Sequence, residues 1–152
     1  MHPKRWYELR SIDRLQEHPM HVTGKCHCGN ISYEADLDPA MVSICHCTDC
    51  QMMSGSPYRV SVRVPVEQVQ MQSGTPKIYI KTAESGSKRA HSFCPNCGTP
   101  VYSSDVVNPK SYSLRVGCLD QRDQLTPQKQ IWHQSSVPWS SDISNITKLT
   151  KQ

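Results

Sequence analysis

Seven of the chain's eight cysteines stand in three short clusters: Cys26-His27-Cys28-Gly29, Cys45-His46-Cys47-Thr48-Asp49-Cys50 and Cys94-Pro95-Asn96-Cys97-Gly98. Thiolates in C-x-C and C-x-x-C pairs on a tight turn can converge on one tetrahedral ion at about 2.3 Å each. A glycine directly after the pair lets backbone N–H groups turn toward the sulfurs without a Cβ clash. The plain alternative is a set of buried, inert cysteines, because free cysteine is a common core residue. Chance would scatter such residues rather than collect them in pairs, so the spacing points to metal.

The first and third clusters contribute two thiolates each, and together they make the closed Cys₄ set of a structural zinc: Cys26, Cys28, Cys94 and Cys97. With Cys28 and Cys94 66 positions apart (28 to 94), such a site pins an early hairpin to a late one. The middle cluster offers Cys45, Cys47 and Cys50 from one six-residue stretch and no obvious fourth partner. Three protein ligands with an open position is the arrangement of a catalytic zinc. Arithmetic leaves other pairings open, but this division uses all seven residues and implies two zinc ions per chain. His27 and His46 sit between ligands and should point away from the metal. A closed Cys₃His site using His46, His91 or His133 is the structural alternative. Cys118 stands alone and reads as core packing.

Zinc carrying three thiolates has a formal site charge of −1 and is a weaker Lewis acid than zinc on three neutral histidines. It suits a further soft sulfur ligand. The expected ligand at the open position is therefore a substrate thiol, kept deprotonated and nucleophilic toward a carbonyl carbon.

The elements that must hold these clusters are short strands. Ile31, Tyr33 and Ala35 alternate with Ser32 and Glu34; Tyr58, Val60, Val62 and Val64 alternate with Arg59, Ser61 and Arg63. Ile78 and Ile80 flank Tyr79, and Tyr112, Leu114 and Val116 flank Ser113 and Arg115. Asp38-Pro39, Ser54-Gly55, Ser73-Gly74, Ser85-Gly86 and Asn108-Pro109 separate these runs, the pattern of an antiparallel, mainly β domain. Only the stretch after Cys45 reads as a helical turn. Trp6, Leu9, Ile12 and Leu15 suggest an amphipathic helix in an N-terminal extension, residues 1–20. The zinc-binding β domain is expected over 21–140 and a polar tail over 141–152.

Strong core formers are few: 8 Ile, 7 Leu, 12 Val and 1 Phe in 152 residues. A lean core of this kind needs support, and a metal site supplies it. The net charge of +4 is too small to argue for nucleic acid, and no basic stripe with interleaved aromatics is present. No apolar run is long enough to cross a bilayer, and the first residues lack a secretory h-region. A cytoplasmic location is expected, where eight cysteines bind metal rather than form disulfides.

The order G-K-C-H-C-G-N-I-S-Y-E (24–34), C-H-C-T-D-C-Q-M-M-S-G-S (45–56), F-C-P-N-C-G-T-P-V-Y (93–102) and G-C-L-D (117–120) resembles the glutathione-dependent formaldehyde-activating enzyme family, which shares a superfamily with centromere protein V. The likeness covers roughly residues 22 to 139, closing on Ile131-Trp132-His133 and Pro138-Trp139. It implies a β-tent fold of the Mss4-like kind, with Cys26, Cys28, Cys94 and Cys97 on the structural zinc and Cys45, Cys47 and Cys50 on the catalytic one. It also implies a carbon–sulfur lyase reaction that joins glutathione and formaldehyde into S-(hydroxymethyl)glutathione. Where that family often carries Arg or Lys after the third catalytic cysteine, this chain has Gln51.

Glutathione carries two carboxylates, so a site for it should offer cations and hydrogen-bond donors. Arg59 and Arg63 follow the middle cluster on one strand face, Lys88 and Arg89 precede the last pair, and Ser54, Gly55 and Ser56 lie just past the cluster. Arginine can grip a carboxylate with two parallel bonds. The expected partner is thus a small-molecule thiol, glutathione by the resemblance, together with an aldehyde. A second reading makes both zinc sites structural and the β surface a docking module for a protein or chromatin, because fold alone does not decide function.

Overall fold

Alternating Val, Ile and Tyr positions build two sheets that meet on their apolar faces, in a computed structural model describing residues 19–83 and 85–152. The amphipathic stretch at Trp6, Leu9, Ile12 and Leu15 lies outside the described residues. The first sheet has the order β1 (Met20–Lys25), β2 (Ser32–Leu37), β5 (Val69–Ser73). The second runs β10 (Lys129–Ile131), β3 (Val42–Cys45), β4 (Arg59–Pro65), β9 (Ser111–Arg115), β8 (Pro100–Asp105), β7 (Lys88–Phe93), β6 (Lys77–Thr82). Every pairing is antiparallel except β10 on β3. One helix, α1 (Thr48–Ser54), joins β3 to β4. The mainly β expectation is met, and the expected helical turn is this α1. Among the described residues no helix is long and apolar enough to cross a membrane.

The core lies between the sheets. Val22, Tyr33, Ala35 and Leu37 from the small sheet, with Ile31 from the turn before β2, meet Val42, Val62, Val64, Val101 and Leu114 from the large one. Valine at alternating positions of a half-covered sheet fits the pleat and loses little rotamer freedom there. Leu119 and Leu125 close the cluster from the turns after β9. Cys118 is not in it: the residue sits half-buried in a short 3₁₀ turn, its S–H donating to the Pro100 carbonyl at 3.2 Å.

The opposite face of the large sheet is polar and, near its centre, also buried. Register sets Cys45 beside Arg59, Ser61 beside Arg115, and Ser113, Ser103 and His91 in one row. Cross-strand partners share a face, so this row forms the floor of the region described below.

One close approach fixes how β1 meets β2. Gly24 pairs with Tyr33, and a Cβ at 24 would lie 2.4 Å from the ring carbon Cζ of that buried tyrosine. Gly24→Ala therefore pushes the ring into the core, and the expected cost is about 1–3 kcal/mol. Urea unfolding of the two proteins measures it.

Candidate metal centres and adjoining chambers

The turns on either side of the first and third clusters are built alike. In the first, the Cys26 N–H bonds the Ile31 carbonyl, the Gly29 N–H bonds the Cys26 carbonyl, and the Ile31 N–H donates to Cys26 Sγ at 3.2 Å. In the third, Cys94 N–H bonds the Thr99 carbonyl and Gly98 N–H bonds the Cys94 carbonyl. Gly29 and Gly98 close these turns at φ 80° and 78°, a conformation that favours glycine. The two turns face each other, tied by His27 N–H to Thr99 Oγ1 at 3.1 Å.

The sulfurs of Cys26, Cys28, Cys94 and Cys97 consequently all lie within 4.8 Å of one another. Cys26 Sγ is 3.6 Å from Cys28 Sγ, which is 3.8 Å from Cys94 Sγ. Four sulfurs about 2.3 Å from one ion stand about 3.8 Å apart, so the donor set fits a tetrahedral thiophilic metal. Donors favour the thiolate at two of the four: the Asn96 amide at 3.3 Å holds the Cys28 thiol below its usual range, and the Thr99 hydroxyl at 3.1 Å lowers Cys97 to about 5, while burial pushes the Cys26 thiol up.

The second group is Cys45, Cys47 and Cys50, also mutually within 4.8 Å. Cys45 ends β3, Cys47 is the N-cap of α1 with its Sγ accepting the Cys50 N–H at 3.3 Å, and Cys50 lies in the first turn. Contact with Cys50 draws the Cys45 thiol below its ordinary value, while the same contact, followed by burial, pushes Cys50 up. Three thiols crowded this closely compete for protons, a conflict that a divalent ion removes. Among the described residues no His, Asp or Glu joins either group, and the Cys₃His alternative gains no ligand from His46, His91 or His133. His46 is turned away from the sulfurs' role: its Nε2 meets Gln130 Oε1 at 2.7 Å and its ring packs edge-on against Tyr58 and His133.

The loop bearing the second group is strapped down from the C-terminal side. The His46 N–H bonds the Ile131 carbonyl, extending the β10–β3 pairing by one rung. Gln51, in place of a basic residue, donates its Nε2 to the carbonyls of His46 at 2.7 Å and Ser135 at 2.9 Å. It thus joins α1, the ligand loop and the segment after β10. Lys81 of β6 pairs with Asp49 in the first turn of α1 from the other side.

Beneath Cys45 and Cys50 lies a cavity of about 240 Å³ walled by Arg59, Arg115, His91 and Lys81. Arg59 and Arg115 are 5% and 8% exposed, a burial that unpaired guanidinium groups rarely show. Burial, then the nearby Arg59 charge, lowers Arg115 to about 9, leaving it protonated at neutral pH. Burial, with Arg115 and Arg59 behind it, lowers His91 to about 4, so that ring is neutral and its Nδ1 accepts from Arg115 Nη2 at 3.4 Å. Arg115 Nη1 donates to Ser61 Oγ at 2.9 Å. A second cavity of about 400 Å³ adjoins the first across Arg59, His91 and Arg115, and is lined on its far side by Met53, Tyr79, Phe93 and Tyr102.

Of the cations and turn residues singled out in the sequence, the structure brings Arg59 and Arg89 to the first cavity. Arg89 is paired there with Asp105 at 2.6 Å. Arg63, further along β4, is exposed and donates Nε to Ser111 Oγ at 2.8 Å, and Lys88 is exposed at the start of β7. Ser54 and Gly55 finish α1: the Ser54 hydroxyl and the Gly55 N–H both bond the Gln51 carbonyl, with Gly55 at φ 63°. Neither of these two lines either cavity. Arg115 and Lys81 were not apparent as site residues in the sequence. The available signal for Arg115 was its place on the same strand face as Ser113, opposite the apolar Leu114.

Fold and thiol groups together define a mainly β domain with two sites able to hold metal ions. Residues 21–135 match the glutathione-dependent formaldehyde-activating enzyme family, and the chain belongs to it. A Schizosaccharomyces pombe protein named as an uncharacterized lyase is 25% identical over 132 residues, covering 83% of this chain and 88% of that protein. The crystal structure of a Rhodobacter sphaeroides protein shares the fold at TM-score 0.55 and 21% identity, spanning 71% of this chain and 98% of that one.

Proposed function

We propose that the chain is a zinc-dependent carbon–sulfur lyase acting on the adduct of a small thiol and an aldehyde, the pair named by the family being glutathione and formaldehyde. The observation that carries this reading is the convergence of the Cys45, Cys47 and Cys50 sulfurs above a buried cationic cavity, a three-ligand set completed by no His, Asp or Glu among the described residues. In this reading Cys26, Cys28, Cys94 and Cys97 hold a structural ion. A zinc ion on Cys45, Cys47 and Cys50 supplies a soft Lewis acid that favours the thiolate form of a substrate sulfur.

The protein's own contribution is electrostatic. Arg59 and Arg115 are themselves almost wholly buried at the cavity wall, where a positive charge acts more strongly than in solvent on negative charge developing at a carbonyl oxygen. Neutral His91 accepts from one guanidinium nitrogen and Ser61 from another, which orients the Arg115 plane. Lys81, through Asp49, and Gln51, through two carbonyls, hold α1 and its cysteines over the cavity. Family membership and the lyase name of the S. pombe relative support the reaction class. A cavity walled by two buried arginines beneath the Cys45, Cys47 and Cys50 sulfurs favours a small-molecule ligand over the docking-module reading.

Cobalt-substituted protein tests the reading. Adding glutathione is expected to intensify and shift the thiolate-to-metal absorption band, because a further sulfur joins the Cys45, Cys47 and Cys50 set. A spectrum unchanged by millimolar thiol at full cobalt occupancy overturns it.

A further inference from the structure

Arg59 Nη1, Arg59 Nη2 and Arg115 Nε are buried and have no hydrogen-bond acceptor. Buried donors in folded proteins are nearly always paired, and an orphaned charged donor calls for an ion or ligand to satisfy it. Of the four cations at the first cavity, Lys81 and Arg89 are neutralised by Asp49 and Asp105. Among the described residues, Arg59 and Arg115 have no carboxylate within 4.0 Å. Before a substrate thiolate joins it, a divalent ion on three thiolates would carry a formal charge of −1 and offset one guanidinium, leaving the second over. The surplus matches a monoanion.

The other half of the observation is the larger cavity. It shares Arg59, His91 and Arg115 with the first, and its far wall of Met53, Tyr79, Phe93 and Tyr102 is aromatic and apolar. At about 400 Å³ it has room for far more than the single carbon of formaldehyde. An apolar cavity with a few convergent polar groups is the usual make-up of a small-molecule site. Here those polar groups are a pair of arginines at one end, so an occupant needs an anionic head and an apolar body.

We propose that Arg59 and Arg115 form the anion end of a subsite for a small monocarboxylate bearing an aryl or alkyl group, the carboxylate held between the two guanidinium groups and the apolar group against Phe93, Tyr102, Tyr79 and Met53. As a statement about the reaction it rests on the proposed lyase reading, for which it names an acidic, apolar carbonyl compound as the aldehyde-side reactant. As a statement about binding it stands alone. The three orphaned nitrogens are the donors the carboxylate would satisfy, and a guanidinium fork meets a carboxylate with two bonds.

The test uses metal-loaded, full-length protein and phenylacetate as the probe, with acetate and benzyl alcohol as partial probes, at fixed ionic strength in calorimetry and saturation-transfer NMR. Phenylacetate is expected to bind at least about tenfold more tightly than either partial probe, since each lacks one of the two interactions. Arg115→Met and Arg59→Met are expected to weaken phenylacetate about tenfold or more while leaving benzyl alcohol unchanged. Both variants should be at least as stable as the parent without ligand, because each replaces a buried unpaired charge by an apolar side chain of similar length. Should either fail to fold, the ranking of the three probes on the unaltered protein decides. Equal binding of phenylacetate and acetate, or phenylacetate binding that survives both substitutions, overturns the subsite. Thiol exchange with formaldehyde is measured on the same protein. Exchange without phenylacetate binding sinks the subsite and spares the lyase reading, and phenylacetate binding without exchange does the reverse.

Discussion

Serine in place of Cys97 is expected to abolish cooperative folding, although the side chain it replaces is exposed. The substitution removes one sulfur, leaves no cavity and disturbs no packed surface, so conventional packing arguments predict almost no effect. The large effect follows from the first metal group. Its four sulfurs join the turn between β1 and β2 to the turn between β7 and β8, and the backbone hydrogen bonds at each turn are short-range. Without an ion, the turns are linked by His27 N–H to Thr99 Oγ1, the Asn96 amide to Cys28 and the weak Cys28–Cys94 thiol contact. A structural zinc contributes roughly 10 kcal/mol or more of apparent folding free energy, as much as the whole stability of a typical domain, about 5–15 kcal/mol. The core cannot make up the difference, because five of its twelve fully buried members are valines, two are cysteines and only one is aromatic, Tyr33. Circular dichroism on heating should show a sharp transition for the parent and a shallow, non-cooperative drift for Cys97→Ser, with metal content below that of the parent. A variant melting within a few degrees of the parent would mean the ion contributes little, and that the lean core suffices.

The legibility of these features in the sequence follows from the range of the forces involved. Cysteine spacing is a local property, because C-x-C and C-x-x-C turns bring their own sulfurs together whatever surrounds them. Which clusters meet in space was open to arithmetic; the pairings of β1 with β2 and of β7 with β8 form the two turns, and these turns, from different sheets, meet at the His27–Thr99 bond and the four sulfurs. The strands read from alternation around 31–35, 58–64, 78–80 and 112–116 coincide with β2, β4, β6 and β9. β7 (KRAHSF) and β8 (PVYSSD) gave no such signal. Ser92, Ser103 and Ser104 are buried, so positions that would be apolar in an ordinary strand are polar. The same cause hid Arg115. Period-two alternation tells which residues share a face but not whether that face meets water, and the polar face of β4 and β9 is roofed over. Arg59, a candidate cation by its position after the middle cluster, and Arg115, which alternation alone did not single out, are the walls of a cavity, while Arg63 on the same face remains exposed.

Serine in place of Cys47 should separate chemistry from folding. Cys47 is both a member of the second sulfur group and the N-cap of α1, its sulfur accepting the Cys50 N–H at 3.3 Å. Serine is a better N-cap than cysteine, since its oxygen accepts a stronger bond from the first turn. The backbone at 47, φ −60° and ψ 151°, suits serine equally well. Gln51 still ties α1 to the His46 and Ser135 carbonyls, and Lys81 still meets Asp49. The thermal midpoint is therefore expected to stay within a few degrees of the parent. What is lost is one of three thiolates, and a neutral hydroxyl is a poor replacement for a soft metal. Metal content should fall by about one ion per chain and thiol–aldehyde exchange by at least about 100-fold, since the remaining two sulfurs cannot hold the ion in place. Cys118→Ser is the matched control: its S–H donates to the Pro100 carbonyl, a bond that serine keeps, and it belongs to neither sulfur group. The contrast with Cys97→Ser carries the argument. If serine at 47 unfolds the protein as serine at 97 does, both ions are structural and the cationic cavity needs another explanation. If serine at 47 folds and silences exchange, the two metal groups divide stability from chemistry, because only the first group spans turns far apart in the chain.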